Sequence, residues 1–236
     1  MKIPVLLYHS IDNDNSPVSL NLADFEKHLL FLRKNNFIST DLNKLDEKNK
    51  KNIIITFDDG YKDNFLKALP LLKKYNYTAI CYIVTSLIGK NNYWDNNKKE
   101  YSKKELMSES DIVEWTKNGM EIGSHSHNHD NLTTLNNNEI CDDLIKSKDK
   151  LENIIGKNIY SFSYPFGRIN HHVYNNVKKI YKNAVTINRS RYNTLLHDKF
   201  LIPRIDMGRK LSSFKIYLKL RTIYEDIKYN ENELQV

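Results

Sequence analysis

A chain of 236 residues is long enough to bury a full hydrophobic core as a single domain. Its 40% hydrophobic and 28% charged residues are typical of a soluble globular protein, and no run approaches the roughly 18 apolar residues that a membrane-spanning helix needs. The formal charge of +7 comes from lysines scattered among asparagines, which indicates a solvated surface rather than a nucleic-acid-binding patch.

Short apolar segments alternate with amphipathic segments along the whole chain. The apolar segments are rich in β-branched residues and predict strands, whereas the amphipathic segments have apolar residues at helical spacing. Such alternation predicts parallel strands joined by right-handed helical crossovers, in a barrel or an open α/β sheet. The predicted strands cover residues 3–9, 53–57, 78–84, 120–124, 160–164, 184–187 and 200–205, and the clearest helix covers 136–155.

The strand predicted at 53–57 ends in two adjacent carboxylates, Asp58 and Asp59, followed by a glycine. An Asp-Gly pair is also a strong hairpin turn, but residues 61–75 have helical rather than alternating spacing. In parallel sheets and barrels, the carboxyl end of a strand is where catalytic residues lie. Adjacent residues of a strand point to opposite faces, so the two aspartates are expected to play different parts.

Three histidines, His125, His127 and His129, follow the strand predicted at 120–124. His125 and His129 are four residues apart, a spacing that places two imidazoles on one side of a helical turn or lets a loop wrap an ion. With one aspartate they form a ligand set that suits catalytic zinc, with iron, cobalt or nickel as alternatives. His127 is a rival ligand, because an extended segment would put all three histidines on one side, and a merely polar loop is the remaining alternative.

Three motifs resemble those of the polysaccharide deacetylases, the family with a NodB homology domain that is also called carbohydrate esterase family 4. The family's first motif, Thr-Phe-Asp-Asp-Gly, is present at 56–60, and Ser-His-Ser-His-Asn-His at 124–129 is similar to its second. The third, usually Arg-x-Pro-Tyr, corresponds to Ser-Tyr-Pro-Phe at 163–166, where the arginine is missing. The resemblance extends over most of the chain and implies a single distorted (β/α) barrel of about seven parallel strands.

The chain is most similar to a branch of the family in which the motif order is circularly permuted, as in biofilm exopolysaccharide deacetylases. In the common branch a Leu-x-His motif near the C-terminus supplies the catalytic acid. Here Leu-Tyr-His at 7–9 resembles that motif, whereas Leu-Leu-His at 195–197 precedes the last predicted strand and lies among polar residues. We therefore expect His9 to be the acid, with His197 as its rival.

The resemblance implies that Asp59, His125 and His129 bind a divalent metal ion, with Zn²⁺ expected and Co²⁺, Ni²⁺ or Fe²⁺ as alternatives. It also implies that Asp58 is the general base, which takes a proton from a metal-activated water as that water attacks an N-acetyl carbonyl. A protonated His9 would then donate a proton to the departing sugar amine.

Three further residues enter the predicted site. By the same resemblance, the backbone N–H of Phe166 stabilises the oxyanion. Because the motif arginine is missing, Arg204 at the end of the last predicted strand is a candidate to hold Asp58 in a bidentate pair, a surface arginine being the alternative. Asp206 is a candidate to orient His9, on weaker grounds.

The sequence therefore predicts a metal-dependent hydrolase that removes N-acetyl groups from an amino-sugar-containing glycan and releases acetate. That glycan is a polysaccharide or a lipid-linked saccharide, and no nucleic-acid partner is expected. Two alternatives remain: a metal-dependent phosphodiesterase or nuclease, which would fit the +7 charge, and a catalytically inactive carbohydrate-binding homologue.

The predicted barrel domain covers residues 1–209, and residues 210–236 are predicted to form a basic amphipathic C-terminal helix and tail. Leu211, Phe214 and Leu218 recur there at helical spacing among lysines. Such a helix either packs on the barrel or rests on an anionic membrane surface. With no signal peptide visible, we expect a cytoplasmic enzyme of surface-glycan biosynthesis, in peripheral contact with the inner membrane if the tail binds it.

Overall fold

A computed structural model describes residues 2–43, 45, 49, 51–95, 99–208 and 210–229. The strands of its main sheet are β1 (Val5–Tyr8), β2 (Asn52–Phe57), β3 (Ile80–Ile83), β4 (Glu121–Ser124), β5 (Ser161–Ser163), β6 (Asn183–Arg189) and β7 (Ile202–Asp206). Within these described ranges the seven strands are all parallel and lie in the order β1-β7-β6-β5-β4-β3-β2, and β1 pairs with β2 to close a barrel. The predicted (β/α) barrel of about seven strands is confirmed.

Helices surround the barrel, and local signals in the sequence determine where they begin and end. In the longest helix, the side chains of Asn136 and Glu139 cap each other's backbone N–H groups at the start, and Gly156 ends the helix with a φ of 65°. The segment after the two aspartates starts as a π-helix, Asn64–Ala68, before it becomes α-helical. The α-helices are α1 (Leu22–Lys34), α2 (Leu69–Tyr75), α3 (Glu109–Lys117), α4 (Asn137–Ile155), α5 (His171–Ile180) and α6 (Ser213–Arg221).

The alternation of side chains along β2 explains which residues reach the barrel interior. Ile53, Ile55 and Phe57 belong to the large core between strands and helices, whereas Ile54 belongs to a separate buried cluster formed by side chains of the barrel strands. Thr56 and Asp58 share the parity of Ile54. The strand therefore directs Asp58 into the barrel at its carboxyl end.

Short strands lie beside the barrel. Lys2–Ile3 pairs antiparallel with Tyr192–Asn193, Ser10–Ile11 pairs with Ser19–Leu20, and Ile38–Ser39 pairs with β2. No helix in the described part of the chain combines the length and hydrophobicity needed to cross a bilayer.

The C-terminal helix packs on the barrel through a different face from the one that the sequence predicts. Ile216 and Leu220 of α6 are buried in the main core, whereas Phe214 of the predicted apolar stripe is 70% exposed. The helix ends at Arg221, and a 3₁₀ turn, Asp226–Lys228, follows it. The predicted boundary after residue 209 stays a prediction, because residues 1, 209 and 230–236 lie outside the described ranges. The membrane contact and the cytoplasmic location also stay predictions.

Candidate active site

A cavity of about 130 Å³ opens at the carboxyl ends of the barrel strands. Of the eight site residues predicted from the sequence, the six that line it are His9, Asp58, Asp59, His125, His129 and Phe166. The seventh, Arg204, is 1% exposed and lies against Asp58. Residues separated by up to 195 positions in the chain therefore meet at one site, because the carboxyl ends of parallel strands share one end of a barrel.

Asp59, His125 and His129 form a buried cluster whose spacing fits a metal ion. Asp59 Oδ1 lies 3.3 Å from His125 Nε2 and 3.4 Å from His129 Nε2. Bonds of about 2.1 Å from one ion separate neighbouring ligand atoms by roughly 3.0–3.4 Å. Each nitrogen is therefore spaced from the carboxylate oxygen as two ligands of one divalent cation would be, and all three atoms lie within 4.8 Å of one another.

The orientation of the His125 ring is fixed by a hydrogen bond at Nδ1, the nitrogen that points away from Asp59. Its Nδ1 lies 2.7 Å from the backbone oxygen of Ser163. A carbonyl oxygen only accepts hydrogen bonds, so Nδ1 carries a proton and donates it, and Nε2 is the nitrogen directed at Asp59. This arrangement is the one that metal-binding histidines adopt, with the distal nitrogen held by a carbonyl or carboxylate.

The loop that carries the histidines is held by α4. Asp143 accepts hydrogen bonds from the backbone N–H groups of His127 and Asn128, at 2.8 and 3.2 Å. Ser147 donates to the backbone oxygen of Ser126, whose side chain in turn accepts from the N–H of His129. Sequence analysis missed Asp143 and Ser147. The signal was present, because both are polar residues on the buried, otherwise apolar face of α4.

His127, the rival ligand, points away from the cluster. Its Nδ1 lies 2.8 Å from the Thr85 hydroxyl, and its ring lines a separate surface groove between α3 and α4. The loop is not extended here, since Ser126 and His129 both have positive φ. Alternate residues therefore do not share one side, and His125 and His129 converge without His127.

Arg204 grips Asp58 with two parallel hydrogen bonds. Its Nη1 donates to Oδ1 at 2.7 Å and its Nη2 to Oδ2 at 2.6 Å. The guanidinium is itself held by the backbone oxygen of Thr186 and the hydroxyl of Thr56. The structure thus brings together the pair that the sequence analysis proposed in place of the missing motif arginine.

Ser163, which occupies the position of the missing arginine, is a second residue that sequence analysis overlooked. Its hydroxyl donates to Asp58 Oδ2 at 3.1 Å and accepts from Arg204 Nη2 at 3.2 Å. Its carbonyl holds His125. One residue of β5 therefore touches both the carboxylate of Asp58 and a histidine of the candidate metal site.

The two aspartates are ionised for different reasons. Burial opposes ionisation of Asp58, but the charge and hydrogen bonds of Arg204 outweigh it and lower the pKa of that carboxyl. Burial likewise opposes ionisation of Asp59, but hydrogen bonds from His125 and His129 hold its pKa well below the ordinary value. Burial dominates at His129 and lowers its pKa, which favours the neutral imidazole that a metal ligand must be.

Aromatic rings form the wall of the cavity beside His129. The Trp94 ring lies 4.3 Å from that of His129, centre to centre, and the Phe166 ring lies 4.5 Å away. Trp94 therefore lines the cavity, whereas the neighbouring Tyr93 is half-exposed and outside the cavity lining. Residues 96–98 of the same loop lie outside the described ranges.

Backbone strain is concentrated at this site. Among the described residues, six other than glycine have a positive φ. Asn36 and Asn76 end helices, where such a conformation is ordinary. The remaining four are Asp59 (73°), Ser126 (67°), His129 (61°) and Phe166 (57°). Left-handed conformations outside helix ends persist where the surrounding structure holds functional groups in place.

His9 and His197, the two candidates for the acid, lie in different places. His9 follows β1 directly and lines the cavity opposite the histidine loop. The His197 ring stacks against Tyr192 and Tyr229, and its Nδ1 accepts the N–H of Asn193. Only His9 of the two therefore lines the cavity. Asp206 lines a neighbouring cavity together with His9 and accepts the N–H of Gly208; its orienting role stays a prediction.

Comparisons with known proteins give consistent relatives. The Bacillus subtilis protein YxkH, named only provisionally as a polysaccharide deacetylase, is 30% identical over 176 residues, 72% of this chain and 58% of that protein. The poly-β-1,6-N-acetyl-D-glucosamine N-deacetylase of Staphylococcus epidermidis is 28% identical over 169 residues, 68% of this chain and 53% of that protein. The chain thus spans a little over half the length of these two curated relatives.

A solved structure and a family model extend the comparison. The crystal structure of BC0361, a polysaccharide deacetylase from Bacillus cereus, superposes with a TM-score of 0.80 at 25% identity, covering 93% of this chain and 69% of that one. The polysaccharide deacetylase family model matches residues 46–185, which include both aspartates and the histidine loop but neither His9 nor Arg204. The circularly permuted branch therefore stays a prediction. Because the matched region exceeds half of the chain, this protein belongs to the polysaccharide deacetylase family.

Proposed function

We propose that this protein is a metal-dependent hydrolase that removes N-acetyl groups from an amino-sugar-containing glycan and releases acetate. The observation that carries the proposal is the convergence of Asp59, His125 and His129 beside an ionised Asp58 in a cavity faced by His9. A ligand set, a base and an acid are the groups that amide hydrolysis needs.

Asp59, His125 and His129 would hold the metal. A divalent cation bound there supplies Lewis-acid activation of a water and of the acetyl carbonyl. Zn²⁺ suits two imidazoles and one carboxylate, with Co²⁺, Ni²⁺ or Fe²⁺ as alternatives. The hydrogen bond from His125 Nδ1 to the Ser163 carbonyl supports this role, because it keeps Nε2 available as a ligand.

Asp58 is the general base of the proposal. Arg204 and Ser163 fix both of its oxygens, so the carboxylate is preorganised and meets the attacking water without rearrangement. A lowered pKa keeps it ionised and ready to accept a proton. The same interactions limit its basicity, which means that Asp58 needs an already acidic water as its partner.

His9 and the backbone N–H of Phe166 complete the proposed chemistry. His9 enters from the opposite wall of the cavity, where it would give a proton to the amine that leaves the acetyl group. Phe166 lies in the turn Pro165–Gly167, and its N–H would donate to the oxygen of the tetrahedral intermediate. Support for the Phe166 role is its left-handed backbone at the cavity wall.

The N-acetylated substrate class is supported by a relative. The name of the Staphylococcus epidermidis protein specifies poly-β-1,6-N-acetyl-D-glucosamine as what that enzyme deacetylates. Trp94 beside the cavity provides an apolar face of the kind on which a sugar ring packs.

The test is acetate release from the β-1,6-linked tetramer of N-acetylglucosamine, measured with purified protein before and after chelation and after readdition of Zn²⁺. The proposal predicts turnover that chelation abolishes and Zn²⁺ restores. Acetylated xylan, which carries only O-acetyl groups, is the comparison substrate. Turnover that survives complete chelation, or acetate from xylan alone, would contradict the proposal.

A further inference from the structure

Two further cavities, which the proposed chemistry does not use, adjoin the candidate active site in sequence through shared lining residues. His9, Val18 and Ile187 line both the active-site cavity and a neighbouring cavity of about 270 Å³. Arg189 and Asp206 line that neighbour and also a third cavity of about 220 Å³. A glycan whose acetylated sugar lies at the metal site would therefore reach the third cavity by way of the neighbouring one.

The third cavity is strongly cationic. Four basic side chains line it, Arg189, Lys215, Lys219 and Lys228, against a single lining carboxylate, Asp206. A second carboxylate, Glu225, is fully buried and bonds to Arg189 and Lys219. Even with both carboxylates ionised, two of the four positive charges have no partner charge among the described residues of the cavity.

Two of the four basic side chains are paired with a carboxylate, and the other two are available to bind an anion. Arg189 donates two hydrogen bonds to Glu225 at 2.9 and 3.0 Å, and Lys219 contacts the same carboxylate at 2.8 Å. Lys215 and Lys228 differ, because no carboxylate in the part of the chain that the structure describes lies within 4.0 Å of either ammonium group. The Lys228 ammonium instead lies 3.7 Å from the centre of the Tyr224 ring.

The pairing with Glu225 also gives the cavity a defined shape. Arg189 belongs to β6, whereas Glu225 follows α6, so this ion pair, which is buried on the Glu225 side, joins the C-terminal segment to the barrel. Arg191 and Lys2 bind Asp226 in the same way, at 2.6 and 2.7 Å. The two available lysines are therefore presented by a segment that is fixed to the barrel at two adjacent carboxylates.

We infer that this basic cavity is a substrate subsite for an anionic group, a phosphate or a carboxylate, on a sugar that flanks the one that is deacetylated. The inference rests on the proposed function, since it assumes that a glycan occupies the adjoining cavities. Lys215 and Lys228 supply the charge that the anion meets, while Arg189 and Lys219 add a positive field without changing partners. The preferred glycan is thus anionic rather than neutral.

The test compares three β-1,6-linked tetramers of N-acetylglucosamine: the neutral one, one with a phosphate at C6 of its terminal sugar, and one oxidised there to a carboxylate. Their Kd values are measured by calorimetry with the Asp58→Asn variant loaded with Zn²⁺, because the substitution suppresses turnover. The double variant Lys215→Gln/Lys228→Gln removes the available cations. Lys178→Gln/Lys179→Gln, on the exposed side of α5, is the control with the same change in charge.

We expect at least one anionic tetramer to bind about five- to tenfold more tightly than the neutral one, the effect of two partly exposed ion pairs. The Lys215/Lys228 variant and 0.5 M salt, roughly a 4 Å screening length, should each remove this preference, and the control variant should keep it. Tighter binding of only one anion would identify the source of the charge. Equal affinity for all three tetramers, or a preference that the double variant retains, would overturn the inference.

Acetate release by the unmodified enzyme is measured separately on the same tetramers. Its absence from all three would contradict the proposed function, while the comparison of Kd values would still decide whether the subsite exists.

Discussion

Two adjacent aspartates at one strand end are stabilised in opposite ways. Asp58 is compensated from within the protein, by a guanidinium that is itself buried and fully bonded. Within the described ranges, the basic groups that contact Asp59 are two imidazoles, at 3.3 and 3.4 Å, distances longer than the roughly 2.7–2.9 Å of a strong charge-assisted hydrogen bond. The charge of Asp58 is therefore compensated by the protein itself, whereas Asp59 is positioned to bind a metal ion.

The difference shows how one strand end serves two purposes. A buried charge must be paired, and an arginine from the same protein compensates a buried carboxylate whether or not a ligand is bound. A pair of neutral ligands instead leaves the compensation to an added cation. We therefore expect changes around Asp58 to alter chemistry and stability, and changes around Asp59 to alter metal affinity.

The largest expected effect separates base from ligand. Asp58→Asn should lower kcat for acetate release by about a thousandfold, the usual contribution of a general base, while the bound zinc per chain stays the same. His125→Ala should lose both activity and zinc. Acetate assays and elemental analysis check the two variants, with circular dichroism to confirm folding. Near-normal turnover of Asp58→Asn would mean that the base is another residue.

Removal of the internal cation should cost stability. Arg204→Met leaves Asp58 buried without a partner, and we expect the free energy of unfolding to fall by about 3–5 kcal/mol. Adding Asp58→Asn to that variant should recover part of the loss. Lys62→Met, which breaks an exposed pair with Glu105, is the control and should cost less than about 1 kcal/mol. Urea denaturation measures all four proteins, and equal losses for Arg204→Met and Lys62→Met would refute the asymmetry.

Metal binding should stabilise the fold through the site that contains Asp59. Free Zn²⁺ at 100 times its Kd should raise the free energy of unfolding by about 2.7 kcal/mol. Asp59→Asn should abolish most of this gain. The measurement is the denaturation midpoint with and without Zn²⁺, and an undiminished gain in the variant would place the metal elsewhere.

His28 provides a third case, a buried titratable group in which burial outweighs the nearby charge of Asp24. Burial lowers its pKa from 6.5 to about 4, with smaller effects of Asp24, Lys219 and Lys27. The unfolded chain then binds a proton that the fold excludes, so stability is lost as the pH falls from about 6.5 to 4, by roughly 2 kcal/mol at pH 5. His28→Gln should flatten the dependence of stability on pH in this range, measured by denaturation at pH 7 and pH 5. An unchanged slope would show that other groups control it.

The sequence carried enough information for the fold and for the site's position. Alternation of apolar and amphipathic segments indicates parallel strands, and the carboxyl ends of such strands must meet, which brings His125 near Asp59. The face of α6 could not be read in the same way. Phe214 and Leu218 have helical spacing, and so do Ile216 and Leu220, hence periodicity alone does not decide which pair is buried.

The supporting contacts were harder to read than the reacting groups. Ser163 acts through its carbonyl as well as its hydroxyl, and a backbone contact leaves no mark on residue type. Asp143 and Ser147 were visible as polar residues in an apolar stripe, but which loop they hold depends on tertiary packing. The pairing of Arg204 with Asp58 spans 146 positions, and only the missing motif arginine pointed to it.

The most direct test is anomalous diffraction at the zinc edge from crystals of the zinc-loaded protein. The account predicts one strong peak within bonding distance of an Asp59 oxygen and of Nε2 of both His125 and His129, with Asp58 still bonded to Arg204. A peak bonded to Asp58 or His127, or no peak between the two histidines, would contradict the division of labour between the two aspartates.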